Sequence, residues 1–274
     1  MLCSAVILAS TMISYLSTAS VRQVEPRDQP SVLSFGLLLD EFGSVVRNRD
    51  FCRLIGVKFA QLMGMQTTIA AFAYFVVQSL GRTFDIFVLF GLVSSASTII
   101  SAPLLVRFSK KYGKKAAYYI AAGLNVVYAL SWSLASDPEP LGAIALRAAI
   151  VGVALTGNVV MAMSMLTDVI NDDAKRSGVR REGAFTAIYS FVEKLTGAIG
   201  PLIVGVALSI AGFDTSLAIE TSQDARVETA LLMSVSWLPA LFGLIAIWLL
   251  SGYKLDEASL TQTERTFDNE QISQ

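Results

Sequence analysis

The chain contains no histidine and only two cysteines, Cys3 and Cys52, in 274 residues. Without imidazole, any proton handling rests on carboxylates, lysines or tyrosines. Two widely separated thiols make neither a disulfide framework nor a metal site. Charge is scarce as well: 16% of the residues are Asp, Glu, Lys or Arg, against about 25% in soluble domains. The 21 basic and 22 acidic residues nearly cancel, so no basic field marks a nucleic-acid surface. No nucleophile–base set, metal cluster or phosphate-cradling loop is legible, which argues against an enzyme.

Apolar sequence is abundant instead, at 54% of the chain, and it falls in long blocks rather than alternating. A bilayer core needs about 20 apolar residues per helix, and several blocks are longer. The pattern predicts an all-α, polytopic membrane protein. Spans are expected at residues 54–80, 84–106, 116–135, 141–166, 184–211 and 230–250. Arg107, Lys110, Lys111, Lys114 and Lys115 crowd the loop expected after the second span. Lys175, Arg176, Arg180 and Arg181 crowd the one after the fourth, and the remaining loops are nearly free of base. By the positive-inside rule, both basic loops and the tail face the cytoplasm. Residues 2–17 read either as a signal peptide or as part of a membrane helix, and the lack of a preceding positive charge favours the helix.

Within the spans the polar inventory is thin. Lys58 is expected to snorkel to the cytoplasmic surface, and Arg147 either to reach outward or to stay within its span. Asn125, Asn158, Gln61 and Gln66 either line a cavity or bond between helices. Glu193 and Lys194 stand side by side inside an apolar run. A charge at that depth costs roughly 2.5–3.5 kcal/mol on insertion scales, so such residues usually serve a cavity.

The stretch from Met165 to Gly205 carries a more specific signal. Asp168 closes one apolar run. Arg176, Gly178, Arg180, Glu182 and Gly183 follow in the pattern (K/R)xGxRxEG, and Lys194 sits inside the next run. This order and spacing resembles the glycoside–pentoside–hexuronide:cation symporters, the melibiose-permease branch of the major facilitator superfamily. There the acidic residue closes the tenth helix and the Lys lies in the eleventh. The segment 107–115 is similar to the basic, glycine-containing loop that this superfamily repeats, although plain topology signalling explains it equally well.

The resemblance implies the six-helix second half of a twelve-helix bundle, built as two inverted three-helix repeats. Residues 1–20 would be the trailing part of a preceding helix, 21–50 a cytoplasmic linker, 51–253 the six-helix domain and 254–274 a disordered cytoplasmic tail. It implies secondary active transport, with cation-coupled symport of a sugar or glycoside by alternating access. A lysolipid or organic-anion transporter, or a truncated chain that transports nothing, is the alternative. Lys194, Ser190 and Tyr189 would serve substrate binding and coupling, with Arg147 and Asn158 as further polar candidates. Asp168, Arg180, Glu182, Arg107 and Lys111 would form a cytoplasmic gate. No cofactor is expected beyond a coupling Na+ or H+, whose site would lie in a separate N-terminal half. The expected partners are the lipid bilayer, a small solute, and that half or a second copy of this chain. In a bacterium the location would be the inner membrane. Glu193 departs from the family pattern, and so does Asn171, which stands where many relatives carry a second carboxylate.

Overall fold

The computed structural model describes residues 10–13, 17, 43–80, 82–83, 86–179, 181–214 and 224–253. Residues 10–13 are helical and belong to a first compact unit, Met1–Leu39. Among the described residues the second unit, Asp40–Gln274, holds six long helices. These are α1 (Arg49–Ser79), α2 (Ile86–Tyr112), α3 (Lys114–Ser131), α4 (Leu141–Ser177), α5 (Glu182–Ala211) and α6 (Ala225–Ser251). Most of the linker expected at 21–50 and the tail expected at 254–274 lie outside the described residues.

Five of the six are long and apolar enough to cross a bilayer, and α3 is not. Three tyrosines, Asn125 and the lysines of its first turn dilute the 18 residues of α3, and a one-turn extension, Trp132–Leu134, follows it. The segment expected as a span at 116–135 is thus a helix, but shorter and less apolar than the other five. The outward faces are apolar: Ile210 is 82% exposed and Trp248 72%. In water such a surface would aggregate, so the bilayer acts as solvent for it.

Both loops expected to be basic prove to be mostly helix. α2 continues through the basic segment to Tyr112, and only Gly113, at φ 87°, breaks the chain before α3 begins. α4 runs 37 residues and carries Asp168 to Arg176 on helix. At 1.5 Å per residue that is roughly 55 Å, well beyond a ~30 Å hydrocarbon core. Nothing in the segment breaks a helix before Gly178, which closes it at φ 71°. Val169 and Ile170 are buried there, and Arg176 pairs with Asp172 one turn back at 2.9 Å.

The packing follows a two-fold pattern. α4 packs against α2 and α3, α1 packs against α5 and α6, and α3 meets α6. Exchanging α1–α3 for α4–α6 leaves this scheme unchanged, which is what two inverted three-helix units require. The seams are close. A Cβ at Gly152 would stand 2.4 Å from the Ser94 carbonyl oxygen, and one at Gly200 would stand 2.4 Å from Cβ of Gln66. At the first seam the Thr98 hydroxyl donates to the Gly152 carbonyl at 3.1 Å, and Ser101 donates to Thr156 at 3.0 Å. Small residues and hydroxyl bonds hold helices together where lipid offers no hydrophobic drive. In α6, Pro239 has no N–H to donate, and Met233–Trp237 widens into a π turn beside it.

Two apolar clusters fill the ends of the bundle. One includes Phe51, Leu54, Tyr118, Met165, Phe185 and Leu250, and the other Phe75, Trp132, Ile144, Leu208 and Val235. Along α1 and α4 the residues between these clusters are the ones that line a cavity.

Candidate functional site: a polar cavity in the bundle

A cavity of about 200 Å³ opens among α1, α2, α3, α4 and α6. Its wall is mainly apolar, with Leu62, Met65, Phe72, Phe90 and Leu155, and its mouth is rimmed by the exposed Ile69 and Val159. Into this wall Lys58, Gln61, Asn125 and Asn158 bring polar groups. The Tyr118 hydroxyl donates to Gln61 Oε1 at 2.7 Å, and Gln61 Nε2 donates to Asn158 Oδ1 at 3.0 Å. These bonds fix the orientation of both amides and leave the Asn158 amide N–H groups free to donate. A few oriented polar groups in an apolar, water-poor pocket are what confer selectivity on a small-molecule site.

Lys58 does not snorkel to the surface, which overturns the expectation from sequence. Lys58 lies nine residues inside α1, which begins at Arg49, and is 6% exposed. Its ammonium instead lies 3.2 Å from Glu193 Oε1 and 4.7 Å from the Tyr189 ring centroid. The Lys58 side chain is 8% exposed and that of Glu193 43%. A buried ammonium needs such a counter-charge, and the aromatic face adds to it.

α5 therefore divides the residues that the sequence grouped together. Tyr189 and Glu193, four apart, face α1, and the Tyr189 hydroxyl is buried without a hydrogen-bond partner among the described residues. Ser190 and Lys194, also four apart, lie on the exposed face, and Lys194 makes no ion pair among the described residues. Asn158 lines the cavity, while Lys194, Ser190 and Tyr189 do not.

Arg147 does not line the cavity either, and it reaches the α3–α4 connection without becoming exposed. It is buried near the opposite end of the bundle and pairs with Glu139, itself 2% exposed. It also donates to the Ser131 hydroxyl at 3.2 Å and carbonyl at 2.9 Å, and lies 4.6 Å from the Trp132 ring centroid. All three guanidinium nitrogens have partners, so Arg147 clamps the end of α3 to the start of α4. Burial pushes the Glu139 carboxyl up. The Ser136 N–H and the Arg147 guanidinium outweigh that and hold it below its ordinary 4.5. A depressed carboxylate contributes stability that is present above its ordinary value and lost as pH falls through the native one. The melting temperature in detergent should therefore drop below about pH 4. Glu139→Gln should melt lower at neutral pH and lose less on acidification, as melting curves across the range will read.

The expected gate residues disperse over the end of the bundle where 107–115 lies. Asp168 accepts from Lys114 at 2.8 and 2.6 Å, tying α4 to α3. Arg180, its expected partner, lies outside the described residues. Glu182 opens α5. Arg107 and Lys111 are exposed and make no ion pair among the described residues. Unforeseen groups supply further ties. Asp173 lies 3.9 Å from Arg181 and 3.5 Å from the Asn48 amide, and the Asn48 side chain caps α1. Lys115 donates to the carbonyls of Ser251 and Tyr253.

Comparison with known proteins agrees with this architecture. An uncharacterized symporter of Synechocystis sp. is 24% identical over 241 residues, covering 87% of this chain and 44% of the relative. An isoprimeverose transporter of Lactiplantibacillus pentosus is 30% identical over 216 residues, 77% of this chain and 43% of the relative. A sodium-dependent lysophosphatidylcholine symporter of Danio rerio is 26% identical over 203 residues, 73% and 36%. The chain thus spans less than half the length of these curated relatives. The family described as MFS/sugar transport protein matches residues 1–257. Helical architecture, two-fold packing and sequence agree: the chain belongs to this family of membrane transporters.

Proposed function

We propose that the chain forms one wall of the solute pathway in a cation-coupled symporter, and that the solute is a sugar or glycoside. The observation that carries this reading is the bonded series Tyr118–Gln61–Asn158, held against a cavity midway along α1 and α4. Fixed amides offer directional donors and acceptors to hydroxyl groups, and Phe72, Phe90 and Tyr128 offer aromatic faces to a pyranose ring. A second six-helix half, or a second copy, supplies the facing wall, and a sodium ion or proton supplies the driving gradient. Ser190 and Lys194 present their polar groups to that wall from α5. Alternating access then rocks the two walls about the solute.

A second reading has its own observation. Most of the cavity wall is apolar and the mouth carries Met65, Ile69 and Val159, which suits an acyl chain. Competition of tritiated glycoside uptake in proteoliposomes of the assembled transporter separates the two. The sugar reading expects unlabelled glycosides to compete and lysophosphatidylcholine not to. The reverse ranking would replace it with the lipid reading.

A further inference from the structure

Two cations for which the family resemblance implies a gate role, Arg107 and Lys111, stand without a carboxylate partner among the described residues beside an apolar groove distinct from the polar cavity. We infer that the α2–α3 face is a binding site for one anionic phospholipid of the surrounding bilayer. The groove encloses about 390 Å³ between Ile100, Leu104 and Phe108 of α2 and Ile120 of α3, and Val153 of α4 also lines it. Its walls stand open to the outside: Ile100 is 65% exposed and Ile120 43%.

The lipid headgroup is specified by what lies at the end of this groove. Ile100, Leu104, Arg107, Phe108 and Lys111 follow at helical spacing, so one stripe of α2 runs from apolar wall to cation. Phe108, in the wall, stacks on Tyr112 with centroids 4.6 Å apart. The Lys111 ammonium stands 5.0 Å from the Tyr112 ring centroid. The path from groove to charge is therefore continuous, and tyrosine is a residue of membrane–water interfaces. Five basic residues crowd 107–115, and two are spent within the protein. Lys114 is held by Asp168, and Lys115 by the carbonyls at the end of α6. Arg107, Lys110 and Lys111 remain exposed with no carboxylate partner among the described residues. A phosphodiester at the interface matches them in charge and geometry, and Arg107 can grip it with two N–H groups. An acyl chain lying between Leu104 and Ile120 fills a slot that protein side chains leave open. This site is independent of which solute the transporter carries.

The test uses the whole chain, purified in neutral detergent and titrated separately with phosphatidylglycerol and phosphatidylcholine, with bound lipid counted by native mass spectrometry. Wild type should bind one phosphatidylglycerol about thirtyfold more tightly than phosphatidylcholine, the product of two basic contacts. R107Q/K111Q should bring the two lipids to parity. Ile120→Trp, which fills the slot and leaves the cations intact, should weaken binding of both. Melting curves check that each variant is folded. Equal binding by wild type would overturn the proposal, and so would a phosphatidylglycerol preference that survives R107Q/K111Q. Competition by free glycerol phosphate as strong as by the whole lipid would exclude the groove. Crosslinking of Ile120→Cys to a second chain would give the face to a dimer instead.

Discussion

Glu193→Gln should destabilise the bundle by roughly 1.5–3 kcal/mol, because a neutral amide oxygen replaces the part-exposed carboxylate beside a buried ammonium. The charge stranded is the Lys58 ammonium, 8% exposed and 3.2 Å from the carboxylate it would lose. Tyr189 would remain as its nearest favourable contact, and a cation–π contact contributes only about 0.5–2 kcal/mol. Lys58→Met should cost less, because Glu193 is partly exposed and can be solvated or protonated. The double variant should regain much of the loss, since neither charge is then buried alone. Melting curves of the four proteins form a double-mutant cycle that isolates the pair. Additive losses would mean that the two groups do not interact.

Lys194→Leu should do the opposite. The residue is exposed on the outer face of α5 and makes no ion pair among the described residues, so its removal leaves nothing stranded. Melting and membrane insertion should hold or improve, because a charge is taken out of an apolar span. Concentrative uptake by the assembled transporter should nevertheless be abolished if the ammonium meets the solute or the coupling charge across the pathway. Lys194→Arg should fail too, since a planar fork does not replace a compact ammonium in a fitted site. Uptake normalised to surface protein, read beside the melting curve, checks both. Near-normal uptake by Lys194→Leu would remove it from the pathway.

These adjacent residues show what a sequence does and does not disclose. The apolar blocks locate the helices because hydropathy marks the bilayer-crossing part of each. It does not mark where the helix ends: α2 and α4 continue through Lys110, Lys111 and Asp168–Arg176, whose charges lie beyond the hydrocarbon yet remain helical. The same blind spot put the start of α1 at residue 54 instead of Arg49. Lys194 drew notice as a charge in an apolar run. Its neighbour Glu193 has a partner on α1, far along the chain, and no local pattern announces that pairing. One signal was available. Lys58, Gln61, Met65, Thr68 and Phe72 recur at helical spacing and define one face of α1, the one that lines the cavity. Two outcomes stayed open for Arg147 because its counter-ion, Glu139, sits in a loop where a carboxylate ordinarily meets water.

The most direct test of the proposed pathway is glycoside uptake by the assembled transporter carrying Asn158→Ala. The substitution removes the amide proposed to face the solute and leaves room for water to satisfy Gln61. Melting should shift by only a few degrees, as for the loss of one hydrogen bond. Uptake per surface molecule should fall about tenfold or more, because the solute hydroxyl loses its oriented partner. A folded Asn158→Ala protein that accumulates glycoside at the wild-type rate would contradict the assignment of this cavity to the solute.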